Sequence, residues 1–243
     1  SNTLIDNSCD KLKMSCRLNE LIANPRIKHI RIATGYWDLK GLCLVLDHLK
    51  EFLMREDATF QLLIGKDPYI YAEQLKSPKV VSKKYPYDFI KTDLNALEPK
   101  DEYKQAVSLL LDYCGSKIQI RLYRKNKNEE VQFLHSKCYI FNSDEGDEEE
   151  TACGIIGSSN FTGKGLDGNS ELNYLEDNWN QVVGMGSATH KTHVSWFEEK
   201  WNLSENWTQT FLEQILRKTK IGIAVDKKNK QSFTPYELYI KLL

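Results

Sequence analysis

The sequence FLHSKCYIF occupies residues 133–141, GSSNFTGKG occupies residues 157–165, and NSE occupies residues 169–171. The apolar residues of the first stretch predict a β-strand that also carries His135 and Lys137. Because alternate side chains of a strand share a face, the imidazole and the ammonium lie on one face, about 7 Å apart. The sequence therefore predicts that one strand presents these two groups together.

The polar side chains in these stretches suit phosphate chemistry. An imidazole can attack phosphorus while the neighbouring ammonium holds a non-bridging oxygen. After the backbone freedom that Gly157 allows, Ser158 and Asn160 can offer a hydroxyl and an amide to the same phosphate. Glu171 supplies a carboxylate that could bind the far ring nitrogen of the histidine, fix its tautomer and stabilise its charged form.

Each of these features also has a purely structural interpretation. Taken alone, His135 is better explained as a hydrogen-bonded core histidine, and residues 158–162 as a plain turn. Glu171 alone fits an exposed strand residue equally well. A lysine is seldom buried without a partner, and Lys137 beside the histidine, followed by GSSN, favours catalysis.

The HxK motif at residues 135–137, GSxN at 157–160 and NxE at 169–171 resemble the HKD signature of the phospholipase D superfamily. The resemblance is strongest to the single-motif nucleases of that superfamily, in which an Asn-x-Glu follows GSxN. It implies an α/β fold, a phospholipase D-like mixed β-sheet sandwiched between helices, over most of residues 27–200. It also implies an enzyme that hydrolyses phosphodiesters, most simply a nuclease.

The resemblance implies a role for each matching residue. His135 is the nucleophile that forms a phosphohistidine, and Lys137 and Asn160 bind the phosphoryl oxygens with help from Ser158. Glu171 orients the histidine. No metal ion and no other cofactor is required, because cationic side chains take the place of a metal.

This mechanism needs a second histidine as general acid for the leaving oxygen and later as base for water. None of the other four histidines is followed by Lys at the second position and then by GSxN. A single motif per chain predicts a two-fold homodimer in which both copies of the motif meet at the interface.

One position departs from the signature. The family usually has Asp five residues after the lysine, and this chain has Asn142 there. Asp144, in the acidic run at residues 144–150, is a candidate replacement for that carboxylate. The departure supports an alternative function, a catalytically silent module that dimerises or docks DNA.

Strands alternating with helices predict a layered sheet with helices on its faces. The remaining predictions are a linker at residues 224–231, a short final helix at 234–243, and an irregular, partly helical segment at 69–100. We divide the chain into a phosphodiesterase domain, residues 1–203, and a helical extension and linker, residues 204–243. The predicted strands are Ile27–Thr34, Phe60–Ile64, Lys117–Tyr123, Val131–Phe141, Ala152–Ile156 and Ser170–Leu175, and the predicted helices are Leu39–Met54, Glu102–Tyr113 and a helical region from Ser195 onward.

A second resemblance concerns the context of the domain. IATGYWDLKGL at residues 32–42 and TPYELYIKLL at 234–243 look like the N-terminal phospholipase D-like domain of bacterial DEAD/DEAH-type helicases and related restriction enzymes. The resemblance implies DNA as the partner and a covalently linked helicase motor. The sequence contains no GxxxxGK[ST] motif, so this chain is not itself the ATPase.

Composition restricts the functional classes to which the protein can belong. The 243 residues carry 33 Lys and Arg against 34 Asp and Glu, so a nucleic-acid surface must be a local patch. No apolar run approaches the roughly 20 residues that span a bilayer, and the polar N-terminus does not resemble a signal peptide. We expect a cytoplasmic protein without a membrane partner. A phospholipid-processing enzyme is a further alternative, although neither an apolar lip nor a basic amphipathic helix is evident.

Overall fold

A mixed β-sheet forms the centre of the molecule. The computed structural model describes residues 4–65, 90–123, 125–127, 130–132 and 134–231. In chain order the strands are β1 (Leu4–Ile5), β2 (His29–Thr34), β3 (Thr59–Ile64), β4 (Ile118–Leu122), β5 (Lys125–Lys127), β6 (Glu130–Gln132), β7 (Cys138–Asn142), β8 (Ala152–Gly157), β9 (Asn173–Glu176) and β10 (Glu205–Asn206). Among the described residues, eight strands form one sheet in the order β1-β9-β8-β7-β2-β3-β4-β10, and β5 and β6 form a separate hairpin.

Helices cover both faces of this sheet, as predicted. In chain order they are α1 (Met14–Ala23), α2 (Leu39–Cys43), α3 (Leu46–Leu53), α4 (Asp101–Tyr113), α5 (Trp179–Val182), α6 (His193–Asn202), α7 (Thr208–Thr210) and α8 (Lys220–Gln231). Residues 90–96, between α3 and α4, are also helical. The larger hydrophobic core lies between one sheet face and helices α1 to α4 and α8. A smaller core under α5 and α6 covers the other face.

Strand direction brings three chain segments to one edge of the sheet. β7 is antiparallel to both of its neighbours, with Cys138 opposite Ala33 of β2 and opposite Ile156 of β8. The start of β7 therefore lies beside the ends of β2 and β8. Residues 134–137, 157–160 and the segment after Thr34 meet at this edge because of that arrangement.

Most predicted strands are confirmed within a few residues, but Val131–Phe141 is not one strand. Its beginning belongs to the β5–β6 hairpin, and β7 starts only at Cys138. Residues 134–137 have no regular secondary structure. The backbone nonetheless continues the ladder, since Gly157 N donates to Lys137 O at 3.3 Å.

The predicted helix Leu39–Met54 is divided into α2 and α3. Val45 leaves the helical region, with φ −122° and ψ 9°. Asn19 of α1 donates to the carbonyl of Leu44 at 2.8 Å, which supplies a partner for a carbonyl at the break. The tertiary contact therefore interrupts an amphipathic pattern that is continuous in the sequence.

The predicted linker at residues 224–231 is wrong, because these residues form the C-terminal two thirds of α8. Thr219 directly precedes the helix, and its hydroxyl accepts a hydrogen bond from Gly222 N at 3.2 Å, the usual N-cap contact. Ile221 and Val225, one helical turn apart, are buried in the larger core. Packing of these two residues compensates for the polar composition that suggested a linker.

Some predictions concern residues outside the described ranges, and one concerns the boundary between the two predicted domains. Residues 66–89 and 232–243 lie outside the described residues, and they include most of the irregular segment and the final helix. The predicted division between residues 203 and 204 falls just before β10, and Trp207 and Phe211 beyond it are buried in the larger core. Each described helix is too short or too polar to span a lipid bilayer.

Candidate active site

His135 and Lys137 lie in the irregular segment that leads into β7. The His135 side chain is exposed, whereas Lys137 is only 7% exposed. The Lys137 ammonium donates to the backbone carbonyl of His135 at 2.7 Å. The short distance in sequence therefore becomes direct contact between the lysine and the histidine backbone.

Burial shapes the electrostatics of the lysine. Loss of solvent lowers the pKa of Lys137, and the negative charge of Glu171 opposes that shift. The pKa of Tyr139 is raised by burial and, to a smaller extent, by the same carboxylate. Glu171 is thus close enough to act on groups at the start of β7, and an additional anion near Lys137 would be attracted by a poorly solvated cation.

Asn160 is held at the end of β2. Its Oδ1 accepts a hydrogen bond from Tyr36 N at 3.1 Å and lies 3.4 Å from the Thr34 hydroxyl, which donates to Tyr36 O at 2.6 Å. With the oxygen held in this way, the amide nitrogen is the group that remains to donate to a ligand.

Gly35 separates Asn160 from the histidine ring. A Cβ on Gly35 would lie 3.3 Å from Asn160 Oδ1 and 3.7 Å from His135 Cδ2. Both side chains therefore approach the same point on the backbone. A larger residue at position 35 would crowd both of them.

Ser158 and Glu171 contact each other directly. The Ser158 hydroxyl donates to Glu171 Oε2 at 2.5 Å and accepts from Leu172 N at 3.0 Å. Asn169 Nδ2 donates to Glu171 Oε1 at 3.2 Å. Both carboxylate oxygens are held by neighbouring side chains, so the carboxylate has a defined position. The predicted role of Glu171 in orienting His135 stays a prediction.

Other residues that position the loop after β8 were missed at the sequence level. Thr34 accepts from Phe161 N at 2.9 Å, and buried Asn173 bonds both the backbone N and the hydroxyl of Ser159, at 3.1 and 2.9 Å. Asp38 accepts from Gly163 N at 2.9 Å while also capping α2. Only Asp38 had a recognisable signal, as an N-cap residue before an apolar helix.

Two aromatic residues, Tyr36 and Trp37, directly follow Gly35. Trp37 is buried and forms an edge-to-face pair with Phe211, with ring centroids 5.5 Å apart. This geometry assigns Trp37 to the core.

Asn142 lies at the other end of β7. It is buried, accepts from Arg31 Nη1 at 2.7 Å and donates to Ser143 O at 2.6 Å. Asp144, the candidate replacement carboxylate, bonds His29 Nε2 at 2.6 Å and Lys28 Nζ at 2.9 Å. Both positions therefore belong to a separate polar cluster rather than to the surroundings of His135.

A cleft of about 420 Å³ opens beside Lys137, between the β7–β8 edge and the start of α6. Cys138, Ile156 and Trp196 contribute apolar surface to it, and Lys191 contributes a cation. Within the part of the chain that the structure describes, no group of three or more His, Cys, Asp or Glu side chains could hold a metal ion.

Comparison with known proteins agrees with this architecture. A protein-family model described as "Cardiolipin synthase, PLD-like domain" matches residues 18–201. The fold and this match together define a phospholipase D-like domain. The chain belongs to the PLD-like domain family.

The individual proteins that resemble this chain share little sequence identity with it. A search of curated proteins finds no significant match. NucT from Helicobacter pylori is structurally similar, with a TM-score of 0.49 and 12% identity, over 85% of this chain and 98% of that chain. Nuc from Salmonella typhimurium, described as a phospholipase D family member, is similar with a TM-score of 0.40 and 13% identity, over 79% of this chain and 88% of that chain.

Proposed function

We propose that this domain is a metal-independent phosphodiesterase, and that its substrate is DNA. One observation carries the proposal: the buried Lys137 ammonium binds the backbone carbonyl of exposed His135, at the edge where the Asn160 amide and the Glu171 carboxylate also lie. These are the groups needed to attack, hold and charge-balance one tetrahedral phosphate.

The proposed reaction has two displacements at phosphorus. A ring nitrogen of His135 attacks, the nitrogen–phosphorus bond forms, and the bond to the leaving oxygen breaks as that oxygen takes a proton from a general acid. Water then gives a proton to the same group and attacks phosphorus. The nitrogen–phosphorus bond breaks, which releases a phosphomonoester and restores the imidazole.

The desolvated lysine suits the charge that develops in both steps. Lys137 would hold a non-bridging oxygen together with the Asn160 amide, and its attraction for that oxygen grows with the negative charge. Ser158 would assist by holding Glu171, whose carboxylate would orient and stabilise the charged imidazole.

The general acid is proposed to be His135 of a second copy, in a two-fold homodimer. An apolar row next to the site, consisting of Leu4, Ile156, Leu172 and Tyr174, supports this assembly. The four side chains are 45–60% exposed. Leu4 and Ile156 both lie opposite Tyr174 in register, and Leu172, immediately before β9, is two residues before Tyr174, so all four share one face. Covering this row would remove apolar surface from water and bring two sites together.

The dimer can be tested with two matched variants. Leu172→Asp places a charge in the row, whereas Met54→Asp makes the same kind of change at a residue 62% exposed elsewhere on the surface. Light scattering should give a dimer for wild type and Met54→Asp, and a monomer of low activity for Leu172→Asp. A fully active monomer of either variant would contradict the dimer.

The choice of DNA and of a helicase context rests on the two motif resemblances. Residues 32–42, which carry one of them, run from β2 into α2 and include Gly35 beside His135 and Asn160. The cleft beside Lys137 has room for a group attached to the bound phosphate. In the proposed full-length protein, a covalently linked motor would feed DNA to this edge.

The decisive experiment is hydrolysis of a phosphodiester model compound and of labelled DNA in the presence of EDTA. Wild type should hydrolyse both and His135→Ala neither, and rapid acid-free quenching of wild type should trap phosphate on His135. Equal hydrolysis by both proteins would reject the enzyme and favour the silent DNA-docking module.

A second candidate is a phospholipid-processing enzyme. It is favoured by the description of the family and by the apolar row beside the site. Release of headgroup from phosphatidylglycerol vesicles, with no cleavage of single- or double-stranded DNA, would establish it in place of the nuclease.

A further inference from the structure

The chain before α1 lies outside the residues that the family model matches, yet it contacts the candidate site. β1 pairs with β9, with Ile5 opposite Asn173. Asn173 Nδ2 also donates to Ile5 O at 3.2 Å, while the same side chain holds Ser159. This segment is thus attached to the strand that follows Glu171.

Asn7 is the residue of this segment with the most specific contacts. Its backbone is in the left-handed region, with φ 60°, which Asn tolerates better than most residues. Its Nδ2 donates to Gly165 O at 3.2 Å and to Asn169 O at 2.9 Å. Its Oδ1 accepts from Met14 N at 2.8 Å. One side chain therefore joins the start of α1 to two points of a loop more than 150 residues away.

The first of these points supports Asn160. Gly165 packs so closely on Asn160 that a Cβ there would collide with the Asn160 carbonyl and lie 2.9 Å from its nitrogen. Because the contact is between backbones, displacement of Gly165 would be transmitted to Asn160. Asn7 in turn holds Gly165 through the carbonyl of that glycine.

The second point supports Glu171. Asn7 binds the carbonyl of Asn169, and the side chain of Asn169 donates to the Glu171 carboxylate at 3.2 Å. Lys13 and Ser15 add contacts to Asp167, at 3.2 Å each, between the two points that Asn7 holds. The segment between the GSxN and NxE motifs, which includes a π-helical turn at Lys164–Gly168, is therefore attached to the N-terminal segment and the start of α1 at three points.

We propose that Asn7 is a positioning residue that sets the separation of Asn160 and Glu171, and so the geometry of the phosphate site. This inference rests on the proposed phosphodiesterase function for its catalytic consequence. Displacements of about 1 Å in catalytic groups can cost about 100-fold in rate. Asn7 contacts neither His135 nor Lys137 through any hydrogen bond among the described residues, so its effect is transmitted through the loop.

The test uses three variants of the whole chain. Asn7→Asp keeps an oxygen for Met14 N and tolerates the left-handed backbone, but it loses both donors and sets a carboxylate against two carbonyls. Asn202→Asp, at an exposed residue at the end of α6, is the control with the same change of charge. Asn7→Gly is a third variant, because it suits the left-handed backbone and lacks every side-chain contact.

Well below the melting temperature, kcat for the phosphodiester should fall about 10- to 100-fold in Asn7→Asp and Asn7→Gly, with KM within about threefold. The pH profile of kcat should also shift, because the Glu171 carboxylate moves relative to the imidazole. Asn202→Asp should match wild type in all three measurements. Equal kcat and pH profiles in all four proteins would overturn the proposal.

A readout without catalysis separates this inference from the proposed function. Amide hydrogen exchange of residues 158–171 should accelerate in the Asn7 variants and not in Asn202→Asp, even if the chain hydrolyses no phosphodiester. Faster exchange in an inactive wild-type background would support the positioning contact and reject the enzyme. Unchanged exchange would reject the positioning role, whatever the activity.

Discussion

The two ends of β7 carry similar residue types in opposite electrostatic situations. At the start of the strand, Lys137 is buried and donates to a neutral carbonyl, and loss of solvent lowers its pKa. Beyond the end of the strand, Lys28 bonds Asp144 and Asp147, and these hydrogen bonds raise its pKa. Within the described part of the chain, Lys137 has no direct carboxylate contact, whereas Lys28 has two.

This difference separates a candidate ligand site from a structural cluster. A cation bonded directly to carboxylates has little attraction left for a ligand, and its contribution is local stability. A desolvated cation bonded to a neutral group gains more from an incoming anion. Asn142 lies at the end of β7 that carries the structural cluster, not at the end that carries the candidate site. Its difference from the family signature is therefore weak evidence that the domain is inactive.

The largest expected effect is at the start of β7. Lys137→Met should lower kcat for the proposed hydrolysis by about 10³-fold, because it removes a charge that stabilises the transition state. Its stability should equal or exceed that of wild type, since a poorly solvated charge is replaced by an apolar chain of similar length. Steady-state kinetics and urea unfolding measure the two effects.

Lys28→Met is the matched control at the other end. It should retain wild-type kcat and lose little stability, because the ion pairs it removes are partly exposed. If both lysine variants lost activity to the same extent, the contrast between the two ends would be wrong.

An intermediate effect is expected from Asn142→Leu, which has similar volume but cannot accept from Arg31. The Arg31 guanidinium is partly buried, and its pKa is lowered by loss of solvent. Leaving it without this acceptor should cost about 1–3 kcal/mol of unfolding free energy. Activity well below the melting temperature should be unchanged, because the side chain lies at the far end of β7.

Asn142→Asp introduces the residue that the phospholipase D signature usually has at this position. It tests the alternative that the domain is a catalytically silent DNA-docking module. We expect its kcat to equal that of wild type. A large gain in hydrolysis from an inactive wild type would show that Asn142 silences the domain.

The smallest effect concerns Asp144. Hydrogen bonds from His29 and then Lys28 lower the pKa of Asp144 below its ordinary value of 3.8. A carboxylate with a lowered pKa contributes stability that is present above the ordinary value and is lost as pH falls through the lowered one. Asp144→Asn should therefore be less stable than wild type at pH 7, by about 1 kcal/mol or less because the group is half exposed.

The difference between the two proteins should shrink below pH 4 as the wild-type carboxylate becomes protonated. Thermal unfolding at several pH values measures this convergence. A constant difference from pH 7 to pH 2 would contradict the assigned cause, and unchanged kcat at pH 7 is expected for both proteins.

Periodicity and composition predicted the layered fold well, but they failed where distant residues act on the backbone. The helix predicted through Val45 is broken where Asn19 bonds the Leu44 carbonyl. The predicted linker is helical because Ile221 and Val225 find space in the core. Local pattern contains no information about either contact, because each partner comes from elsewhere in the chain.

The candidate site also has features that the sequence predicted and features that it did not. Adjacency of His135 and Lys137 follows from their spacing, and their association with residues 157–160 and 169–171 followed from the family motif. The supports were not predicted. Thr34 reaches Phe161 across 127 residues, and Asn7 reaches Asn169 across 162. A buried Thr or Asn has no distinctive spacing, so only the fold identifies its partner.

By itself the sequence determined which chemical groups this protein can present to a phosphate, because residue identity and short spacing are properties of the chain. The tertiary structure decided which of those groups lose their water and which are neutralised. That outcome depends on burial and on partners from distant segments, and it distinguishes Lys137 from Lys28 although both are lysines bordering the same sheet.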